Sequence, residues 1–159
     1  GYKTYSVTGG GQDSVRTISE EASGIPPEQV IGTAGTTTYS HDKSGKAVLT
    51  KDPKVMLDDN NAGKAEGIHL MIGRRPHFAF GNTSGDQQML EYTGTGDGAR
   101  LSMLLLHDDA TREYAYGPAR GLPDTKVGAF SVALDSIAKA RGWTVVSMKQ
   151  DWKRVFAFE

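Results

Sequence analysis

Short apolar runs alternate along the chain with longer stretches of helical spacing. Lys3-Thr4-Tyr5-Ser6-Val7 reads as a strand of β-branched and aromatic side chains, and it runs into Thr8-Gly9-Gly10-Gly11. A helix over about 13–22 follows and stops at Gly24-Ile25-Pro26-Pro27. Val30 to Thr33 predicts a second short strand. Thr36 to Tyr39 and Ala47 to Thr50 flank Asp42-Lys43-Ser44-Gly45, the signal of a hairpin projecting from the core. Asp58-Asp59-Asn60-Asn61 predicts a polar cap for a helix beginning near Ala62, which Gly73-Arg74-Arg75-Pro76 closes with cations at its negative end. The apolar run Phe78 to Phe80 halts at Gly81; after a polar turn Asp86 opens a helix with Met89 and Leu90 on one face. Ala99 to Leu106 fits a buried strand, followed by His107-Asp108-Asp109 and a helix over about 110–116. Val127, Phe130, Leu134, Ile137 and Ala138 share one helical face, ended by Gly142. Trp143 to Met148 predicts a last short strand, with Trp152 and Phe156 packing the tail down.

Strands at about 3–7, 30–33, 77–80 and 101–106, alternating with helices, predict an α/β fold: a mostly parallel sheet in a three-layer core. With 159 residues, no repeat and no linker, a single domain over 1–159 is expected. Composition narrows the function. A net charge of −1 with dispersed signs argues against a nucleic-acid surface, and Lys149, Lys153 and Arg154, interrupted by Asp151, read as a solvated face. The absence of cysteine excludes disulfides and thiolate metal sites. No apolar run is long enough to span a membrane and no signal-peptide pattern is present, which leaves the cellular location unassigned. The four histidines lack metal-ligand spacing, and His107 is expected in a capping or surface role.

Two turns carry candidate chemistry. Asn82 and Asp86 are hard oxygen donors at a strand end, a pair suited to Mg²⁺, which takes one or two carboxylates and keeps several waters. The competing reading is a surface turn, with Asn82 bracing the backbone and Asp86 capping the helix. At Thr8-Gly9-Gly10, glycines allow a tight turn, the helix start offers N–H groups to an anion, and Thr8 adds a hydroxyl. Arg74 and Arg75 are read as structural.

Gly81-Asn82-Thr83-Ser84-Gly85-Asp86-Gln87-Gln88-Met89 resembles the fourth motif of the haloacid dehalogenase-like (HAD) superfamily, in its phosphoserine-phosphatase-like branch. That motif usually reads Gly-Asp-Gly-x-Asn-Asp-x-x-Met; Gly81, Asp86 and Met89 match it, and Asn82 stands where an acid is usual. Thr8-Gly9 resembles the second motif, which holds the phosphoryl group. Lys64 falls where the third motif has a lysine that neutralises phosphate and carboxylate charge, with Lys51 and Lys54 as weaker rivals. The likeness runs over nearly the whole chain, through Gly73 to Pro76 and the Trp143 to Phe158 tail. The first motif, Asp-x-Asp, is absent: Asp58 and Asp59 correspond to the stretch just before the third-motif lysine. In the family its first Asp attacks phosphorus and its second is the general acid/base. The chain therefore resembles the C-terminal part of a HAD protein, beginning at its second motif.

The resemblance implies a Rossmann-like HAD core lacking its nucleophile strand, and a Mg²⁺-dependent phosphate-monoester hydrolase that is incomplete or inactive as this chain alone. The site it implies comprises Lys64 as a catalytic cation, Thr8, Gly9, Gly10 and Lys64 around the phosphate, and Asp86 with Asn82 on the metal. The partner is a small phosphorylated substrate or phosphate ion. The alternative is a non-catalytic phosphate-binding or protein-interaction domain derived from such an enzyme. Because the missing strand is central in the family, its neighbours are expected to close up, to pair with a second copy, or to accept an N-terminal segment.

Overall fold

Two three-stranded sheets with flanking helices make the chain α/β in the computed structural model, which describes residues 1–125, 128–156 and 158. They belong to two compact units, Gly1–Arg74 and Arg75–Glu159.

In the first unit the order is β1 (Ser6–Gly11), α1 (Gln12–Arg16), α2 (Ser19–Ser23), β2 (Val30–His41), β3 (Ala47–Leu57) and α3 (Ala62–Ile72). The sheet order is β1-β2-β3. β1 runs parallel to β2, pairing Ser6 with Val30, Val7 with Ile31 and Thr8 with Gly32, then Gly11 with Thr33 across a bulge. The first strand thus starts at Ser6 rather than Lys3, because pairing begins only where Val30 faces it. The glycine stretch falls in the bulge of this strand, a local loop between Thr8 and Gly11, and not in a turn after it. Gly32 is required here: a Cβ on it would stand 2.8 Å from the Gly10 carbonyl oxygen. The two strands expected at 30–33 and 36–39 form one, whose distal half pairs antiparallel with β3. That hairpin closes on Asp42, whose carboxylate accepts from the backbone of Ser44 and Lys46, at 2.8 and 3.0 Å.

The single helix expected over 13–22 is instead α1 and α2. Val15, Thr17 and Ile18 are β-branched, and the Thr17 hydroxyl donates to the Ser14 carbonyl at 2.7 Å, competing with a continuous helix. The polar run before α3 does not cap it through side chains: Asn61 stands at the N-cap with φ 51° and no side-chain bond. Gly73, at φ 71°, ends α3 as expected.

The second unit holds β4 (Phe78–Gly81), α4 (Gln87–Gly94), β5 (Leu101–Leu106), α5 (Val132–Arg141), β6 (Thr144–Ser147) and α6 (Met148–Asp151). Its sheet, β4-β5-β6, is wholly parallel. Ala79, Met89, Leu90, Leu104, Leu106, Phe130, Leu134 and Ala138 are buried. Burial alternates along β5, with Ser102, Leu104 and Leu106 inside, Met103 and Leu105 half-buried and Leu101 exposed, so its second face is only partly covered where burial on both was expected. Phe130 precedes α5, which Ser131 caps by accepting from the Leu134 N–H at 3.1 Å; Val127 lies outside the described residues. No helix forms at 110–116. Buried Asp109 accepts from the Thr111 and Arg112 N–H groups and pairs with the Arg112 guanidinium at 2.5 Å, and the Tyr116 N–H bonds the His107 carbonyl. Those bonds fix a folded-back loop. Trp152 and Phe156 keep about 42% and 41% exposure, so the tail is not packed down by them. Arg75 is structural as expected: it donates to the Tyr92 carbonyl and to Thr95 Oγ1, and it lies over the Tyr92 ring at 4.0 Å, which secures the end of α4. Among the described residues no helix is long and apolar enough to cross a membrane.

Candidate functional site

The residues singled out from the sequence fall into two clusters, one in each unit. In the first, α3 carries Lys64 back to β1, where its ammonium donates to the Val7 carbonyl at 3.1 Å, beside Thr8, Gly9 and Gly10. The Thr8 hydroxyl oxygen accepts from the Gly10 N–H at 3.1 Å and so shapes the loop. Thr33 Oγ1 donates to the Gly9 carbonyl at 2.9 Å and accepts from the Asp59 N–H at 3.1 Å, tying the glycine loop to the turn before α3. A Cβ on Gly9 would meet Asn60 Oδ1 at 2.0 Å, so a larger residue there would push the exposed Asn60 side chain aside. Lys51, the rival cation, is engaged with Asp13 at 2.8 Å. α1 has only five residues, too short for its N-terminus to supply the anion site expected of a longer helix.

Asp59 was expected as a cap and does something else. It is wholly buried, and neither carboxylate oxygen has a hydrogen bond of normal geometry. Burial pushes its pKa up to about 6, while the Lys64 ammonium and the Thr8 N–H pull it down and Asp58 adds to the rise. A buried carboxyl of high proton affinity therefore sits against the lysine–glycine cluster. Its sequence signal, one acid among four polar residues, looked like a solvated turn.

The second cluster occupies the carboxyl ends of β4 and β5. Asp86 is buried, and its Oδ2 accepts from the N–H groups of Asn82 and Thr83 at 2.9 and 3.0 Å and from the Thr83 hydroxyl at 3.4 Å. Thr83 and Asp86 form a capping box, so it is Asp86, not Asn82 as foreseen, that braces this turn, and Asp86 makes no side-chain cap to α4. Gly81 is needed because a Cβ on it would stand 2.5 Å from Asp86 Cβ. Asn82 turns its side chain toward His107 Nε2 at 3.3 Å and the Tyr116 hydroxyl at 3.4 Å. His107, expected at a cap or the surface, is instead mostly buried and bonded through Nδ1 to both oxygens of Glu113 at 3.0 Å. Burial, foremost, raises the Tyr116 pKa; the Asn82 bond opposes this and the Glu113 charge adds to it. Glu113 and Tyr116 escaped the sequence reading because the loop that carries them has no period.

Among the described residues no group of three or more histidine and carboxylate side chains is gathered for a metal ion. The oxygen donors at the end of β4 are Asp86 and Asn82. No protein-family model and no curated protein matches the chain.

Proposed function

We propose that this chain carries the phosphate- and metal-holding parts of a HAD-type, Mg²⁺-dependent phosphohydrolase acting on phosphate monoesters, and that it is incomplete as a catalyst alone. The observation that carries the reading is the reach of Lys64 to the Val7 carbonyl, which puts a cation beside the Thr8-Gly9-Gly10 loop at a parallel strand. Phosphoryl transfer depends on positioning and charge neutralisation, and this cluster provides both. Thr8, Gly9, Gly10 and Lys64 hold the phosphate in this reading. Asp86 and Asn82 would hold Mg²⁺, which when bound neutralises phosphoryl charge. Their fit rests on the buried Asp86 carboxylate at a strand end and on Asn82 Oδ1, which makes no hydrogen bond among the described residues.

The finer fold is proposed on the same basis, as a Rossmann-like HAD core. Both sheets contain parallel ladders, and β1 and β4 are each an outer strand of their own sheet. In the family the corresponding strands pair with the one bearing Asp-x-Asp. Either outer strand leaves backbone groups for a second copy or for a segment with that motif.

A non-catalytic phosphate-binding domain is the second reading, favoured by the commitment of Asp86 Oδ2 to three donors of its own turn. An aryl-phosphate assay with and without Mg²⁺ tests the proposal. The 159-residue chain is expected to show no enzyme-like turnover, since it carries no Asp-x-Asp motif and the Thr8 hydroxyl is a poor nucleophile in its place. Robust turnover that vanishes in Asp86→Ala would show a nucleophile within these residues and refute the incompleteness.

A further inference from the structure

Glu113 engages Nδ1 of His107 with both carboxylate oxygens, each at 3.0 Å, and the two side chains are only 15% and 14% exposed. An ionised carboxylate only accepts, so the imidazole proton belongs on Nδ1. In that tautomer Nε2 is an acceptor, and the atom facing it at 3.3 Å is Asn82 Nδ2. The same nitrogen donates to the Tyr116 hydroxyl at 3.4 Å. Tyr116 also stacks on His107, with centroids 4.5 Å apart and planes 17° from parallel, which holds the ring. Both amide protons of Asn82 are thereby used. Its backbone is pinned from the other side by the N–H bond to Asp86 Oδ2 at 2.9 Å.

We infer that His107, held as the Nδ1–H tautomer by Glu113, is a positioning residue that turns the Asn82 amide so that its oxygen, not its nitrogen, is presented to a ligand. The ligand class is a hard cation such as hydrated Mg²⁺, and in that identification the inference rests on the metal site proposed above. An aspartate at position 82 would have needed no such device, because both its terminal atoms are oxygens. An amide has one end that attracts a cation and one that repels it. The opposite tautomer, with a proton on Nε2, would draw the Asn82 oxygen toward the ring and turn its NH₂ outward. One proton on one imidazole thus selects which end is offered, and Glu113 fixes that proton.

¹⁵N NMR of the full chain reads the tautomer directly, and Mg²⁺ titration reads the consequence. In the wild-type chain His107 is expected to show a pyrrole-like Nδ1 and a pyridine-like Nε2, with slowly exchanging Asn82 amide protons. Glu113→Gln introduces an amide that can donate to Nδ1; the proton moves to Nε2 and the Asn82 protons lose protection. His107→Phe keeps a ring on Tyr116 but removes the acceptor, and it has the same effect on Asn82. His107→Gln restores an acceptor near the Nε2 position and retains most of the protection. Mg²⁺ affinity is expected to fall roughly 10–100-fold in Glu113→Gln and His107→Phe, the usual cost of losing a partner that orients a ligand, and less in His107→Gln. An Nε2–H tautomer in the wild type, or Asn82 protons unchanged in both Glu113→Gln and His107→Phe, would overturn the inference. A wild-type chain with the expected tautomer and protection that binds no Mg²⁺ would support the orientation and refute the metal reading alone.

Discussion

Replacing Asp59 by an asparagine removes an ionisable group from a site that no solvent reaches. The folded chain holds the Asp59 proton more tightly than an ordinary carboxyl does, with a pKa of about 6 against 3.8. Stability from this group is therefore fully present below the unfolded value near 3.8 and is lost as pH rises through about 6. At about 1.4 kcal/mol for each tenfold change in proton affinity, the loss amounts to about 2–3 kcal/mol, most of it between pH 4 and pH 7. The substituted amide does not titrate, so in Asp59→Asn the stability of this unit should follow a flatter curve over that range. Because the comparison is of slopes, any constant penalty from burying an amide cancels. Hydrogen exchange at stepped urea concentrations, read on peptides from residues 1–74 and corrected for intrinsic rates, isolates the unit that contains Asp59. Parallel pH profiles for the two chains would show that Asp59 is ionised and solvated in the folded state, and the account of a buried, unpaired carboxyl would fail.

Two structural predictions accompany it. Gly63→Ala places a Cβ 1.7 Å from the Asp58 carbonyl oxygen, so the turn that delivers Lys64 must open; a loss of about 1–3 kcal/mol or more is expected in a urea melt. Arg75→Ala removes bonds to the Tyr92 carbonyl and Thr95 Oγ1 together with the stacking on Tyr92, a loss of about 1–2 kcal/mol, and Arg75→Lys should recover little of it because the planar fork is gone. Tryptophan fluorescence in urea follows the second, since both tryptophans lie in that unit.

The strands and their parallel sense were legible because short apolar runs separated by glycine turns leave little alternative; β5 lies where its leucines put it, over Leu101–Leu106. The hairpin was legible for a similar reason, since Asp42 and Gly45 specify its turn. What could not be read depends on partners distant in sequence. The register that starts β1 at Ser6 is set by Val30, and the burial of Asp59 is set by Ile31, Leu57 and Gly67, all of which crowd the same space. The stretch over 110–116 was misread as a helix because Asp109 redirects its backbone bonds, and local propensity does not register such a competitor. Asn82 and Asp86 were singled out by type, yet the bonds of Asn82 to His107 and Tyr116, and of His107 to Glu113, follow from that loop and were invisible without it.

The claim that Thr8, Gly9, Gly10 and Lys64 form a phosphate-holding cluster is tested most directly by titrating inorganic phosphate into the ¹⁵N-labelled chain. Saturable shifts at the Thr8, Gly9 and Gly10 amides are expected, lost in Lys64→Ala and retained in Lys51→Ala, whose lysine pairs with Asp13. Absence of any saturable shift at those amides, or the same shifts with the same affinity in Lys64→Ala, would contradict the account.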